Sequence, residues 1–320
     1  MIKLFRLTAL APLLMVTAVS AQVVETEVTL DRNGTLSGTL SAYDFSGPAG
    51  PAALIIAGSG PTDRNANGPG IHPNTYKMLA EALAAEGITT LRFDKRGVIH
   101  SAMALSSEKD LRIQTYAGDA KAWAEELRTQ THTECVWLIG HSEGALIAEM
   151  VAQDNPHICG LVLISGAGRK AGDLLRDQLD HAPQPIPDAL KKTAFDIIAR
   201  LEQGQTVDDL TPSFQALFRP SVQPYMISWM ALDPPALLAK LKQPVLILQG
   251  DNDIQIKVDD AKKLAAARPD ARLVILPGVN HVLKIAPTER RANADTYRNP
   301  VLPLAPGIAD AIAAFMKEHK

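Results

Sequence analysis

Val136-Trp137-Leu138-Ile139-Gly140-His141-Ser142-Glu143-Gly144 carries an apolar run of strand length straight into a helical stretch, Glu143 to Gln153, through a serine set between two glycines. With Gly and Ser each near 7% of residues, G-x-S-x-G arises by chance in about one chain in ten of this size, so its setting decides its meaning. A strand that runs directly into a helix holds the intervening serine on a sharp turn at the sheet edge. A side chain at either glycine would crowd that turn and the packing of strand on helix. A helix N-cap role for Ser142 accounts for the serine but not for both glycines. The Glu143 backbone N–H then falls at a helix N-terminus, where the dipole favours negative charge, and is a candidate oxyanion donor.

The same alternation extends along the chain in both directions. Ala53 to Ala57, Thr89 to Phe93, Leu161 to Ile164, Val245 to Leu248 and Leu273 to Leu276 are near-continuous apolar runs, the pattern of strands covered on both faces. Helical spacing of apolar residues marks Tyr76 to Glu86, Tyr116 to Arg128, Val258 to Ala267 and Gly307 to Lys317. Alternation of this kind predicts an α/β fold with a mostly parallel sheet and right-handed crossovers. Upstream, Val24 to Leu30 alternates apolar and polar residues, Asn33-Gly34 supplies a tight turn, and Thr35 to Ser41 returns, which predicts an N-terminal antiparallel hairpin. Residues 168–240 hold no strand pattern. They carry helical stretches such as Ala189 to Leu201 and prolines from Pro183 to Pro235, and are expected to form a helical cap insertion over the site end of the sheet. Within it Tyr225, Met226, Trp229 and Met230 share one helical side, which suits either plain core or the wall of an acyl pocket.

With these elements in place the chain resembles the α/β-hydrolase superfamily, over essentially all of residues 22–320. Gly58-Ser59-Gly60-Pro61-Thr62-Asp63-Arg64-Asn65 after one strand, Arg92-Phe93-Asp94-Lys95-Arg96-Gly97 after the next and the Gly140 to Gly144 turn together resemble a branch of bacterial serine carboxylesterases with a helical cap. One difference is Val98-Ile99-His100-Ser101, where such esterases carry glycine around position 99 or 100. The resemblance implies an α/β-hydrolase fold and a triad in the chain order Ser, acid, His. Of eight histidines, only His281 both follows a late strand and precedes the final helix. An imidazole suits that position, because serine is a poor nucleophile at neutral pH and a base with pKa near 6.5 takes and returns its proton. For the acid, Gln249-Gly250-Asp251-Asn252-Asp253 offers two carboxylates. The superfamily's G-x-x-D spacing favours Asp253, which leaves Asp251 to serve the turn. The second oxyanion donor implied by the resemblance is the backbone N–H of Ser59, with Gly60 as the alternative. Asp63, Arg64 and Asn65 are expected to fix their loop.

Composition narrows the partners. Thirty-two Lys plus Arg against 35 Asp plus Glu leave a formal charge of −3, too little positive field to hold a nucleic-acid backbone. Lys3 and Arg6, the apolar stretch Leu7 to Val19 and the small residues Val19-Ser20-Ala21 read as a signal peptide over residues 1–21, so export to the periplasm or medium is expected, with no stable membrane span after processing. A non-cytosolic compartment permits a disulfide between Cys135 and Cys159, each at the start of an apolar run; two buried free thiols are the other reading. No metal or nucleotide motif is present, and no cofactor is expected. The expected function is a serine hydrolase acting on a small carboxylic ester of short to medium acyl chain. A peptidase or amidase with the same triad, or a binding protein on the same fold, are the alternatives.

Overall fold

The continuous apolar runs become strands with a core on each face. In the computed structural model, which describes residues 23–43, 50–182 and 184–319, eight strands form one sheet in the order β1-β2-β4-β3-β5-β6-β7-β8. They are β1 (Val24–Asp31), β2 (Thr35–Ala42), β3 (Ala52–Ile56), β4 (Thr89–Phe93), β5 (Val136–His141), β6 (Ile158–Ile164), β7 (Val245–Gly250) and β8 (Arg272–Leu276). All pairings from β4 to β8 are parallel, and β1 and β2 are antiparallel to their neighbours. The helices are α1 (Thr75–Ala85), α2 (Ile113–Thr131), α3 (Glu143–Ala152), α4 (Ala171–Asp180), α5 (Asp188–Glu202), α6 (Pro212–Phe218), α7 (Gln223–Met230), α8 (Pro234–Leu238), α9 (Val258–Ala267), α10 (Arg290–Asp295) and α11 (Ile308–Glu318). This is the α/β fold with a mostly parallel sheet that the sequence predicts.

Successive side chains of a strand point to opposite faces. Leu54, Ile56, Val136 and Leu138 therefore enter a core shared with α2 and α3. Ala53, Ile55, Trp137 and Ile139 enter a second core shared with α1 and α11. β8 departs from the expected two-sided cover: as the last strand of the sheet it leaves Leu273, Val274 and Ile275 only half-buried. At the other edge Asp31 pairs with Thr35, so the hairpin turn is Arg32-Asn33-Gly34, with positive φ at Asn33 (50°) and Gly34 (106°). The five helices α4 to α8 lie between β6 and β7, where the cap was expected, and Ile197, Ile198, Leu201, Phe214 and Phe218 fuse them to the α2 and α3 side of the core. Not anticipated was α10, whose first turn is held by the Glu289 carboxylate accepting the N–H groups of Arg291 and Ala292. Ile99, in the segment where glycine was expected around position 99 or 100, takes φ of 43°. A side chain in the left-handed region costs about 1–2 kcal/mol.

The sheet order locates a crevice. β4 lies on one side of β3 and β5 on the other, so the winding reverses there and the loops leaving the carboxyl ends of β3 and β5 diverge. Gly58-Ser59 follows β3 and Ser142 follows β5. The signal-peptide reading falls on residues 1–21, which lie outside the described residues; among the described residues no helix is long and apolar enough to cross a membrane.

At the opposite end of β5, Cys135 and Cys159 form a disulfide with Cα atoms 5.3 Å apart, which decides between the two readings of the sequence. The bond closes a loop across a sequence separation of 24. Loop-closure entropy for that length amounts to about 3 kcal/mol. Urea titration of the Cys135→Ala/Cys159→Ala variant should show a loss of that order in unfolding free energy; a loss below about 1 kcal/mol would mean that the unfolded chain is not constrained by this bond.

Candidate active site

Ser142 occupies φ 56°, ψ −119°, a conformation that side chains rarely adopt. Strain of this kind costs about 1–3 kcal/mol and persists only where surrounding structure imposes it. Here close packing imposes it. A Cβ on Gly140 would stand 2.3 Å from the Gly144 carbonyl oxygen, and one on Gly144 would stand 2.2 Å from the Ile56 carbonyl oxygen of β3. Both glycines are thus needed for α3 to start directly behind β5 and against β3. The Ser142 N–H is held by the carbonyl of Ile164, 2.9 Å away.

The other expected residues converge on the same place. His281 Nδ1 lies 2.8 Å from Asp253 Oδ2, with the Asp253 side chain fully buried. Asp253 Oδ1 accepts the N–H groups of Gln255 (2.8 Å) and Ile256 (3.0 Å). Burial alone would push the Asp253 carboxyl up; the charge and hydrogen bond of His281, with those two N–H groups, outweigh it and hold the carboxyl below the usual carboxylate range. Asp251 has the turn role instead, accepting the Gly278 N–H at 2.7 Å and so fixing the loop that carries His281. Among the described residues no hydrogen bond joins Ser142 to His281; both residues line a cavity of about 190 Å³. Catalytic hydrogen bonds are often loose without a bound substrate.

A second cavity, about 320 Å³, also borders Ser142. Ser59, Gly60 and Glu143 line it beside the serine, and Leu146, Leu174, Leu175, Met226 and Trp229 give it an apolar wall. Tyr225 lines it too, but Met230 is buried in the core, so the apolar stripe of α7 serves both purposes. Asp63, Arg64 and Asn65 fix their loop as expected: Asp63 accepts the N–H groups of Asn65 and Asn67, Arg64 pairs with Asp94 at 2.8 Å, and Asn65 accepts from Arg92.

Three residues that the sequence did not single out complete the site. The Gly58 N–H donates to Tyr76 Oη (3.0 Å), Tyr76 Oη lies 2.8 Å from His141 Nδ1, and His141 Nε2 lies 2.8 Å from the carbonyl oxygen of His281. A carbonyl only accepts, so Nε2 carries the proton and Nδ1 accepts from the tyrosine. His141 is thereby a neutral strut between the β3 loop and the His281 loop. Burial, aided by the nearby His281, lowers its pKa to about 3. Lys95, at the end of β4, donates to the Gly58 carbonyl (2.9 Å) and to Glu143 Oε1 (3.0 Å), with its ammonium 4.4 Å from the centre of the Tyr116 ring. Its position after β4, next to β3, is the one local signal of such a role.

Residues 54–294 match the family model described as the alpha/beta hydrolase family, and the chain belongs to that family. Its fold is also that of solved esterases. Est1E from Butyrivibrio proteoclasticus, solved with ferulic acid bound, is 17% identical with a TM-score of 0.60, over 91% of this chain and 98% of that one. The esterase domain of a Rhodothermus marinus protein gives 17% and 0.56, over 92% and 99%. A Pyrococcus furiosus esterase gives 18% and 0.56, over 94% of each. At such identities the likeness establishes the fold.

The depressed pKa of His141 has a consequence for stability. The unfolded histidine binds a proton below about pH 6.5, whereas the folded one stays neutral down to about 3. Its contribution is therefore complete above pH 6.5 and is lost as the pH falls toward 3, at up to about 1.4 kcal/mol per pH unit. Denaturant titrations between pH 6.5 and 4.5 should show a shallower decline in the His141→Gln variant than in the unaltered protein; equal slopes would contradict a buried neutral imidazole.

Proposed function

We propose that this protein is a serine hydrolase that cleaves carboxylic esters through an acyl-enzyme intermediate. The observation that carries the reading is the strained turn that places Ser142 on the lining of two cavities, one of which His281 also lines, with Asp253 hydrogen-bonded to that histidine. In this reading Ser142 Oγ attacks the ester carbonyl while His281 takes its proton, and Asp253 holds the imidazole in the correct tautomer and stabilises its protonated form. The N–H groups of Ser59 and Glu143 receive the oxyanion. His281 then gives its proton to the departing alkoxide, and a water activated by the same imidazole releases the acid and regenerates Ser142.

The need to protonate the leaving oxygen orients the substrate. His281 lines the 190 Å³ cavity and not the 320 Å³ one, so the alcohol belongs in the smaller and the acyl group in the larger. At the ~30 Å³ of a water-sized group, the larger cavity takes about ten non-hydrogen atoms, a short to medium acyl chain. Support for an ester over a peptide comes from the cap carboxylates that would anchor a peptide amine. Asp177 pairs with Arg169 and Lys257, Asp233 caps α8, Asp173 points outward beside Arg176, and none of them lines the cavity. The Cys135–Cys159 disulfide supports an oxidising, non-cytosolic location.

Hydrolysis of a graded series of p-nitrophenyl esters tests the assignment. Activity should peak within acyl chains of about ten carbons or fewer and fall at least about 10⁴-fold in Ser142→Ala, with unfolding temperature little changed. Ester hydrolysis that survives in that variant, or none in the unaltered protein, would contradict it.

A further inference from the structure

We infer that Lys95 is a positioning residue for the oxyanion site, acting through the carbonyl of the peptide bond whose N–H is one of the two donors; this rests on the serine-hydrolase reading above. The Gly58–Ser59 peptide contributes the Ser59 N–H on one side and the Gly58 C=O on the other. No peptide bond among the described residues is cis, and in a trans peptide the C=O and N–H point in opposite directions. Whatever grips the oxygen therefore aims the N–H.

Lys95 Nζ grips that oxygen at 2.9 Å. Its side chain is only 4% exposed and lines an adjoining cavity of about 160 Å³ that shares Gly60, Pro61 and Tyr225 with the 320 Å³ one, whereas Ser59 lines the two cavities that meet at Ser142. Gly58 itself is held close to the serine: a Cβ built on it would lie 3.2 Å from the Ser142 Cβ. Tyr76 Oη accepts the Gly58 N–H, so both peptide planes that meet at Gly58 are fixed by side chains. Among the described residues the Ser59 N–H has no acceptor of its own, as a group kept free for a ligand oxygen requires.

Two physical effects follow from the grip. An ammonium on the carbonyl fixes the plane of the peptide, and it draws electron density toward the oxygen, which strengthens the N–H as a donor on the far side. Lys95 holds Glu143 with the same ammonium, 3.0 Å from Oε1, and the Glu143 N–H is the other donor. One buried cation thus sets the spacing of the two residues that supply both donors. It also neutralises a carboxylate that would otherwise oppose the negative charge forming at the adjacent oxygen.

These two roles can be separated. Lys95→Met alone strands a buried carboxylate at Glu143, and loss of folding would obscure the result. Lys95→Met/Glu143→Gln removes both charges with little change in volume. The double variant should retain a cooperative thermal transition, show kcat at least tenfold below the unaltered protein with KM within about twofold, and bind an arylboronic acid, which forms a tetrahedral anion on Ser142, more weakly by a similar factor. Full kcat in the double variant would mean that Lys95 only neutralises Glu143, and a loss confined to KM, or a loss of kcat with boronate affinity intact, would equally overturn the proposal. Absence of Ser142-dependent ester hydrolysis in the unaltered protein would instead overturn the reading on which it rests.

Discussion

The site depends on how closely the start of α3 lies against the end of β3. With only a hydrogen at Gly144, the backbone of the turn comes up against the Ile56 and Ala57 carbonyls at a separation no other residue permits. That approach puts Ser142 beside Gly58-Ser59, and the reversal of winding between β3 and β5 keeps the space above them open. The strained φ of Ser142 is a consequence of this packing. It projects the side chain outward from a turn anchored on both sides by fully buried strands.

A second constraint comes from four charged residues at and just beyond the end of β4. Arg92 pairs with Glu25 of β1, Asp94 with Arg64 of the β3 loop, Lys95 with Glu143 of α3 and Arg96 with Asp119 of α2. Each links β4 to a different element, and at least one partner of every pair is almost wholly buried. Pairs of this kind are weak contributors to net stability, because desolvation offsets much of the attraction, but removing one partner costs about 3–5 kcal/mol. Their effect is geometric. A mispositioned hairpin or loop would leave a charge unpaired in the interior, so the alternatives are excluded and the β3 loop is fixed from both sides.

The parts of the molecule legible in the sequence are those governed by local periodicity and turn chemistry. The elbow at Ser142 and the alternation of strands and helices follow from spacing within a few residues, whereas the choice of Asp253 over Asp251 and the place of His281 after a late strand come from the chain order and G-x-x-D spacing that the resemblance to α/β-hydrolases implies. What was not legible depends on contacts between distant segments. Tyr76, Lys95 and His141 acquire their roles only because residues 58, 76, 95, 141 and 281 meet in space, and nothing near any one of them in sequence announces the others. The exposure of β8 depends on its being the last strand, which its apolar run cannot reveal. Likewise Met230 and Trp229 are neighbours on one helix, yet one is core and the other cavity wall, because the side facing the site is set by how α7 packs on α2, α4 and α5.

In the proposed function the geometry around Ser142 makes this one hydroxyl nucleophilic. Reaction of the intact protein with an alkyl fluorophosphonate, followed by mass spectrometry of the digested chain, tests it most directly. A single adduct per chain is expected on the peptide containing Ser142, formed far more slowly in a His281→Ala variant. An adduct on a different residue, or labelling of Ser142 at the same rate without His281, would contradict it.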